Sequence, residues 1–129
     1  MATVPQRQTK QKRQVDHAIV HVTSTFNNTI ITVTDSGNRP IVIASTGMFG
    51  FTGARKSTPH AATVTTDSAM QRAITEYGVR RIDVYIKGIG PGREASLRTL
   101  KICGCEVEKV VDVTPVPHNG VRPPKLRRV

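Results

Sequence analysis

The stretch VRRIDVYIKGIGPGREASLRTLKIC, residues 79–103, decides the fold. Its first nine residues alternate: Ile82, Val84 and Ile86 point one way, Arg81, Asp83 and Tyr85 the other, which is the period of a half-buried strand. Gly88-Ile89-Gly90-Pro91-Gly92 breaks the alternation as a turn. From about Arg93 to Cys103 the spacing becomes helical, and Gly104 supplies a stop. Residues 105–113 read as a last strand. A strand, a tight turn, a helix and a strand form a βαβ unit, and such crossovers are parallel and right-handed.

Upstream the same logic repeats. Thr58 reads as an N-cap and Pro59 as the first helical residue. Ala62, Ala69, Met70, Ala73, Ile74 and Tyr77 recur at helical spacing, and Gly78 ends the run, so one helix is predicted over residues 59–77. The glycine-rich segment 47–57 before it reads as a loop carrying Arg55 and Lys56 near its end. Three strands come first. Residues 15–25 place Ala18, Val20 and Val22 on one face and His17, Ile19 and His21 on the other. Residues 29–34 are β-branched throughout, and residues 39–46 carry Pro40 near the strand start, where a missing N–H is tolerated. The turns Phe26-Asn27-Asn28 and Asp35-Ser36-Gly37-Asn38 join them into an antiparallel meander. The predicted fold is a single α/β domain over residues 15–114, a mixed five-stranded sheet in βββαβαβ order with two helices packed on it.

Composition agrees with one small domain. The chain has 129 residues, 37% of them apolar, 4% aromatic and none Trp, so the core must be mostly Val, Ile and Ala. No apolar run approaches the roughly 18 residues that span a bilayer, and residues 1–14 lack the apolar stretch of a secretory signal. Cys103 and Cys105 are one residue apart, which suits a reduced chain and not a disulfide framework. That spacing is also too short for a paired-cysteine zinc site, and the four histidines are scattered, so neither metal nor cofactor is expected.

The net charge is +10, and its distribution is uneven. Residues 1–14 hold Arg7, Lys10, Lys12 and Arg13 with no acid; residues 115–129 hold Arg122, Lys125, Arg127 and Arg128 with no acid. The two tails thus supply eight of the ten excess charges, and the segment between them is close to neutral. Basic tails with so few apolar groups do not order by themselves, and a polyanion is the partner that fits them. Pro115, Pro117, Pro123 and Pro124 keep the second tail extended.

Within the domain, two glycine-rich turns stand at helix starts. Gly88, Gly90 and Gly92, flanked by Lys87 and Arg93, suit a backbone cradle for a phosphate. Their spacing fails the dinucleotide fingerprint, and no Lys-Ser/Thr pair follows as in a Walker loop, so the phosphate is one of RNA and not of a nucleotide. Arg55 and Lys56 form a second candidate contact, and Asn27 and Asn28 a third. Asp16, Asp35, Asp67 and Asp83 are dispersed, Asp35 in a turn and Asp67 on a helix facing water, so the converging acids of a two-metal nuclease are missing and no enzyme is expected. Asn119-Gly120 is a turn signal in which glycine also leaves Asn119 open to backbone attack and slow deamidation.

Taken together these residues resemble the bacterial-type small-subunit ribosomal protein eleven family over essentially all of residues 15–129. The most specific stretch is DVTPVPHNG at 112–120, continuing through RPPK at 122–125 and RRV at 127–129. STFNNT at 24–29, Gly50-Phe51, Gly53, RKSTP at 55–59 and GIGPGRE at 88–94 also match. The resemblance implies a structural constituent of the small ribosomal subunit that binds rRNA on the platform, beside other platform proteins, and helps line the messenger exit and Shine–Dalgarno region. It implies no cofactor, no membrane and no small-molecule substrate, and a cytoplasmic ribosome as the setting, with an organellar one left open. It adds His118, Asn119 and Gly120 to the RNA-binding residues of the C-terminal tail. Thr52 and Leu126 stand where the family commonly has a basic residue, so no phosphate contact is carried over to them. Cys103-Gly104-Cys105 and His60 are further departures.

Overall fold

The structure, a computed structural model, describes residues 14–126 and Arg128. Arg7, Lys10, Lys12, Arg13 and Arg127 therefore lie outside the described residues. The chain forms β1 (His17–Ser24), β2 (Thr29–Asp35), β3 (Pro40–Ser45), α1 (Pro59–Tyr77), β4 (Arg81–Lys87), α2 (Gly92–Ile102) and β5 (Glu106–Asp112). The sheet order is β3-β2-β1-β4-β5. β1 pairs antiparallel with β2 and parallel with β4, β2 antiparallel with β3, and β4 parallel with β5. The expected five-stranded mixed sheet with two helices is what the molecule has.

Alternation decides which face is covered. Ala18, Val20 and Val22 of β1, Ile31 and Val33 of β2, Val42 and Ala44 of β3, and Ile82, Val84 and Ile86 of β4 are all buried in one core with Met70 and Leu100 from the helices. Burying side chains of this size contributes about 1.5–3 kcal/mol each. Ala69 and Ala73 bring α1 close to the sheet, and Thr66 Oγ1 donates to Ser96 Oγ (3.1 Å) where α1 meets α2. The other sheet face carries His17, Ile19, His21, Asp83 and Tyr85, all half-buried, with no helix of the described residues over it. There His21 stacks on Tyr85 at 5.7 Å between ring centroids, and partial burial lowers the pKa of its imidazole.

Element ends follow local chemistry. Thr58 caps α1 by accepting from Ala61 N–H (3.3 Å), and Gly78 closes it in the left-handed conformation at φ 66°. β4 begins at Arg81, two residues later than alternation alone indicates, because the N–H groups of Arg80 and Arg81 both donate to the Asp16 carbonyl (3.0 Å each) before the ladder starts. The segment read as a plain loop holds two 3-10 turns, Thr46–Phe49 and Gly53–Ser57. α2 starts one residue earlier than expected, at Gly92.

Cys103 and Cys105 are both free thiols, Cys105 buried and Cys103 half-buried. Cys105 Sγ lies 3.5 Å from the Val79 carbonyl, and burial, reinforced by Cys103, pushes its thiol up to about 11. Because the thiolate is the reactive form, native Cys105 should resist iodoacetamide at pH 7.5 over a time in which Cys103 is alkylated. Peptide mass spectrometry checks this; equal labelling of both under native conditions would contradict the packing described.

Candidate nucleic-acid interface

Strands β1, β3, β4 and β5 run in one direction, so their carboxyl ends share one pole of the sheet. The turn 25–28, the segment 46–58 leading into α1, the loop 88–91 leading into α2, and the start of the C-terminal tail all sit at that pole. The sequence-predicted sites within residues 27–93 thus converge with both helix N-termini. The pole is knitted by direct bonds. Thr46 Oγ1 donates to Asn28 Oδ1, joining the first turn to the segment after β3. Gly90 N–H donates to the Ser24 carbonyl (3.3 Å), joining the glycine loop to β1. Gly88 N–H donates to Thr114 Oγ1 (3.1 Å) and Val113 N–H to the Ile86 carbonyl (2.8 Å), joining the root of the tail to β4.

These bonds sort the candidate residues. Asn27 is exposed at the turn tip, whereas Asn28 is half-buried and engaged, its Oδ1 also accepting from Thr29 N–H (2.8 Å). Arg55 is exposed and Lys56 half-buried. Lys87 is exposed at the end of β4. The glycines have a packing reason. A Cβ at Gly88 would fall on the Ser24 carbonyl oxygen, one at Gly90 on the Thr25 carbonyl and Ser24 Oγ, and one at Gly92 on Thr29 Oγ1. Gly90 and Gly92 are buried, and the amides of Gly88, Gly90 and Arg93 are already donated within the protein. The loop is glycine-rich because it lies against the β1–β2 turn, which narrows the cradle reading to its outer edge.

Arg93 is a brace as much as a cation. Its Nη1 donates to the Gly88 carbonyl (3.0 Å) and its Nη2 pairs with Asp112 Oδ2. Asp112 Oδ1 accepts from Thr114 N–H (3.0 Å) and Thr114 Oγ1 (2.6 Å). The Thr114 hydroxyl first, then the Arg93 guanidinium and the Thr114 amide, hold the Asp112 carboxyl well below the usual carboxylate range. A depressed folded-state pKa contributes stability that is present above the unfolded value, near 3.9, and is lost as pH falls through the folded value. Asp112→Asn should therefore lower the urea midpoint at pH 7. That difference should shrink steadily below about pH 4. A gap that stays constant down to pH 2 would show that ionisation of Asp112 is not what holds the tail root.

Beyond Thr114 the tail is extended and every described residue is exposed, including His118, Asn119, Gly120, Arg122, Lys125 and Arg128. Asn119 adopts φ 55° in a tight turn, its N–H donating to the Pro117 carbonyl (3.1 Å). One feature of the pole belongs to no sequence motif. Phe26 is 68% exposed, Ile89 67% and Met48 60%, three large apolar side chains on the turns that carry the basic and amide groups. An apolar residue at the tip of a polar or glycine-rich turn is the signal that marks them, because burial in a core cannot explain it there.

The far pole is mixed in charge, with Arg39, Arg80 and Arg81 beside its acids. The far pole holds Asp16, Asp35, Glu106 and Glu108, at the start of β1 and β5 and the end of β2. No helix of the described residues is long and apolar enough to cross a membrane. The family model described as "Ribosomal protein S11" matches residues 18–128.

Proposed function

Because the chain belongs to the ribosomal protein S11 family, and so is a structural rRNA-binding protein of the small ribosomal subunit and not an enzyme, we propose that it acts on the platform, where it helps shape the messenger exit and Shine–Dalgarno region beside neighbouring platform proteins. The observation that carries this reading is the convergence of the turn 25–28, the segment 46–58, the loop 88–91 and the tail root at one pole of the sheet. The domain, residues 15–114, presents that pole to folded RNA, and the tails, residues 1–14 and 115–129, thread between RNA helices. Asn27, Arg55, Lys56 and Lys87 contact phosphate or sugar oxygens. Arg122, Lys125, Arg127 and Arg128 do so along the tail, Arg as a bidentate fork and Lys as a point charge. His118, Asn119 and Gly120 place the tail. Gly88, Gly90, Gly92, Arg93 and Asn28 hold the surface in shape. Arg7, Lys10, Lys12 and Arg13 add affinity. Phe26 and Ile89 offer apolar faces to unstacked bases or ribose.

The test is a competition at fixed salt between small-subunit rRNA and random duplex RNA of equal length. Preference for the rRNA, reduced by the double variant Arg55→Gln/Lys56→Gln, supports the reading. Equal affinity for both would make the chain a general nucleic-acid-binding module. Retention on small subunits through a high-salt wash is the companion observation.

A further inference from the structure

The far pole contains a cluster the RNA reading does not use. His17 Nε2 lies 3.2 Å from Asp83 Oδ2 and 3.5 Å from Glu108 Oε2, and the three ligand atoms lie within 4.8 Å of one another. We propose that His17, Asp83 and Glu108 bind a divalent first-row transition-metal ion of the Zn2+ class.

Four observations converge on it. The first is spacing: around an ion bonded tetrahedrally at about 2.0–2.1 Å, neighbouring ligand atoms stand roughly 3.3 Å apart, which the two His17 distances bracket. The second is an orphan. His17 Nε2 is enclosed by protein yet makes no hydrogen bond. An enclosed ring nitrogen flanked by two carboxylate oxygens and hydrogen-bonded to neither is free to act as a ligand. The third is sheet register. Ile82 pairs with Val107 and Asp83 with Lys109, so Glu108 is the extra residue of a bulge, and the bulge brings its carboxylate over β4 toward β1. The fourth is charge. The Arg81 guanidinium engages Asp16 Oδ2 (3.0 Å) and Glu108 Oε1 (3.2 Å), and Asp83 Oδ2 and Glu108 Oε2 are left facing His17. With a neutral imidazole the group carries excess negative charge in a chain whose total is +10, and a dication offsets it. Arg81 then orients a ligand from behind, as outer partners of metal ligands do.

The donor set selects the ion. One imidazole and two carboxylates suit Zn2+, Co2+ or Ni2+, whereas Mg2+ keeps its waters and favours oxygen alone. A bound ion ties the edge strand β5 to the central strand β1 across β4, so its presence reads as stability as well as binding.

The test is calorimetric titration of the full chain with Zn2+, alone and in tenfold excess of Mg2+, with Tm measured in parallel. One saturable site is expected, with a rise in Tm on Zn2+ addition and no loss of binding with Mg2+. His17→Ala and Glu108→Gln should each weaken binding at least tenfold and abolish the Tm rise, and the near-isosteric Asp83→Asn should do the same. His60→Ala and Cys103→Ala, which remove other zinc-binding side chains, should bind as the parent does. Absence of a saturable site overturns the proposal. So does parental affinity in His17→Ala, loss of binding in the Cys103→Ala control, or displacement by Mg2+.

Discussion

Gly88→Ala should cost about 3–5 kcal/mol of folding stability, among the largest effects of any single methyl group added to this protein. The residue sits at φ 98°, where an L side chain is disfavoured by about 1–2 kcal/mol before any contact is counted. Its Cβ would then fall on the carbonyl oxygen of Ser24. That oxygen belongs to the last residue of β1, the central strand, and accepts the Gly90 amide. It cannot retreat without loosening the β1–β4 ladder and the loop together. Gly50→Ala is the matching control. Its φ is 84°, but a Cβ there meets nothing within 4 Å, so only the backbone cost of about 1 kcal/mol is expected. Urea unfolding of both variants measures the difference. Equal midpoints would show that the loop does not press on β1 as described.

That contrast also marks what could be read from the sequence. The alternation of residues 17–24 and 81–87 and the Thr58-Pro59…Gly78 frame of α1 are local signals, with periods and caps written within a few residues, and the structure reproduces them closely. Glycine at 88, 90 and 92 was equally visible, but its reason was not. Glycine needed for a phosphate and glycine needed against a neighbouring backbone give the same letters, and only the proximity of Ser24, Thr25 and Thr29 separates them. Asn28 and Arg93 read as ligands for RNA, and each also makes bonds inside the pole that the sequence does not disclose, Asn28 Oδ1 and Arg93 Nη2 meeting partners 18 and 19 residues away in Thr46 and Asp112. The His17, Asp83 and Glu108 group was illegible for the same reason. Its members lie on three strands, and a bulge invisible to alternation brings the third into place. The basic tails, by contrast, are pure composition and required no contacts to recognise.

Neutralising the C-terminal tail should have the largest effect on binding. Replacing Arg122, Lys125, Arg127 and Arg128 with Gln removes four cations, each of which releases a counterion when it meets a phosphate. Affinity for small-subunit rRNA at 0.1 M salt should fall by on the order of 10²- to 10³-fold, and the log–log salt slope should flatten by about 3. Fold stability should not change, because the described residues of this tail are exposed throughout. Arg39→Gln, an exposed cation beside the hairpin at the far pole, should leave both affinity and slope unaltered. The equivalent N-terminal variant, at Arg7, Lys10, Lys12 and Arg13, should flatten the slope similarly while leaving discrimination between rRNA and random duplex largely intact, since the placing motif at 117–120 lies in the other tail. A tail variant that binds rRNA like the parent would remove the C-terminal segment from the interface.

The central claim, that a nearly neutral domain shapes the contact while two basic tails drive it, rests on the number of phosphates neutralised. The affinity of the unaltered chain for small-subunit rRNA, measured from 50 to 300 mM KCl, reads that number directly. With about eight tail cations engaged, log affinity should fall against log salt with a slope of roughly −5 to −7. A slope near −1 would mean that the tails do not carry the binding, and would contradict the account.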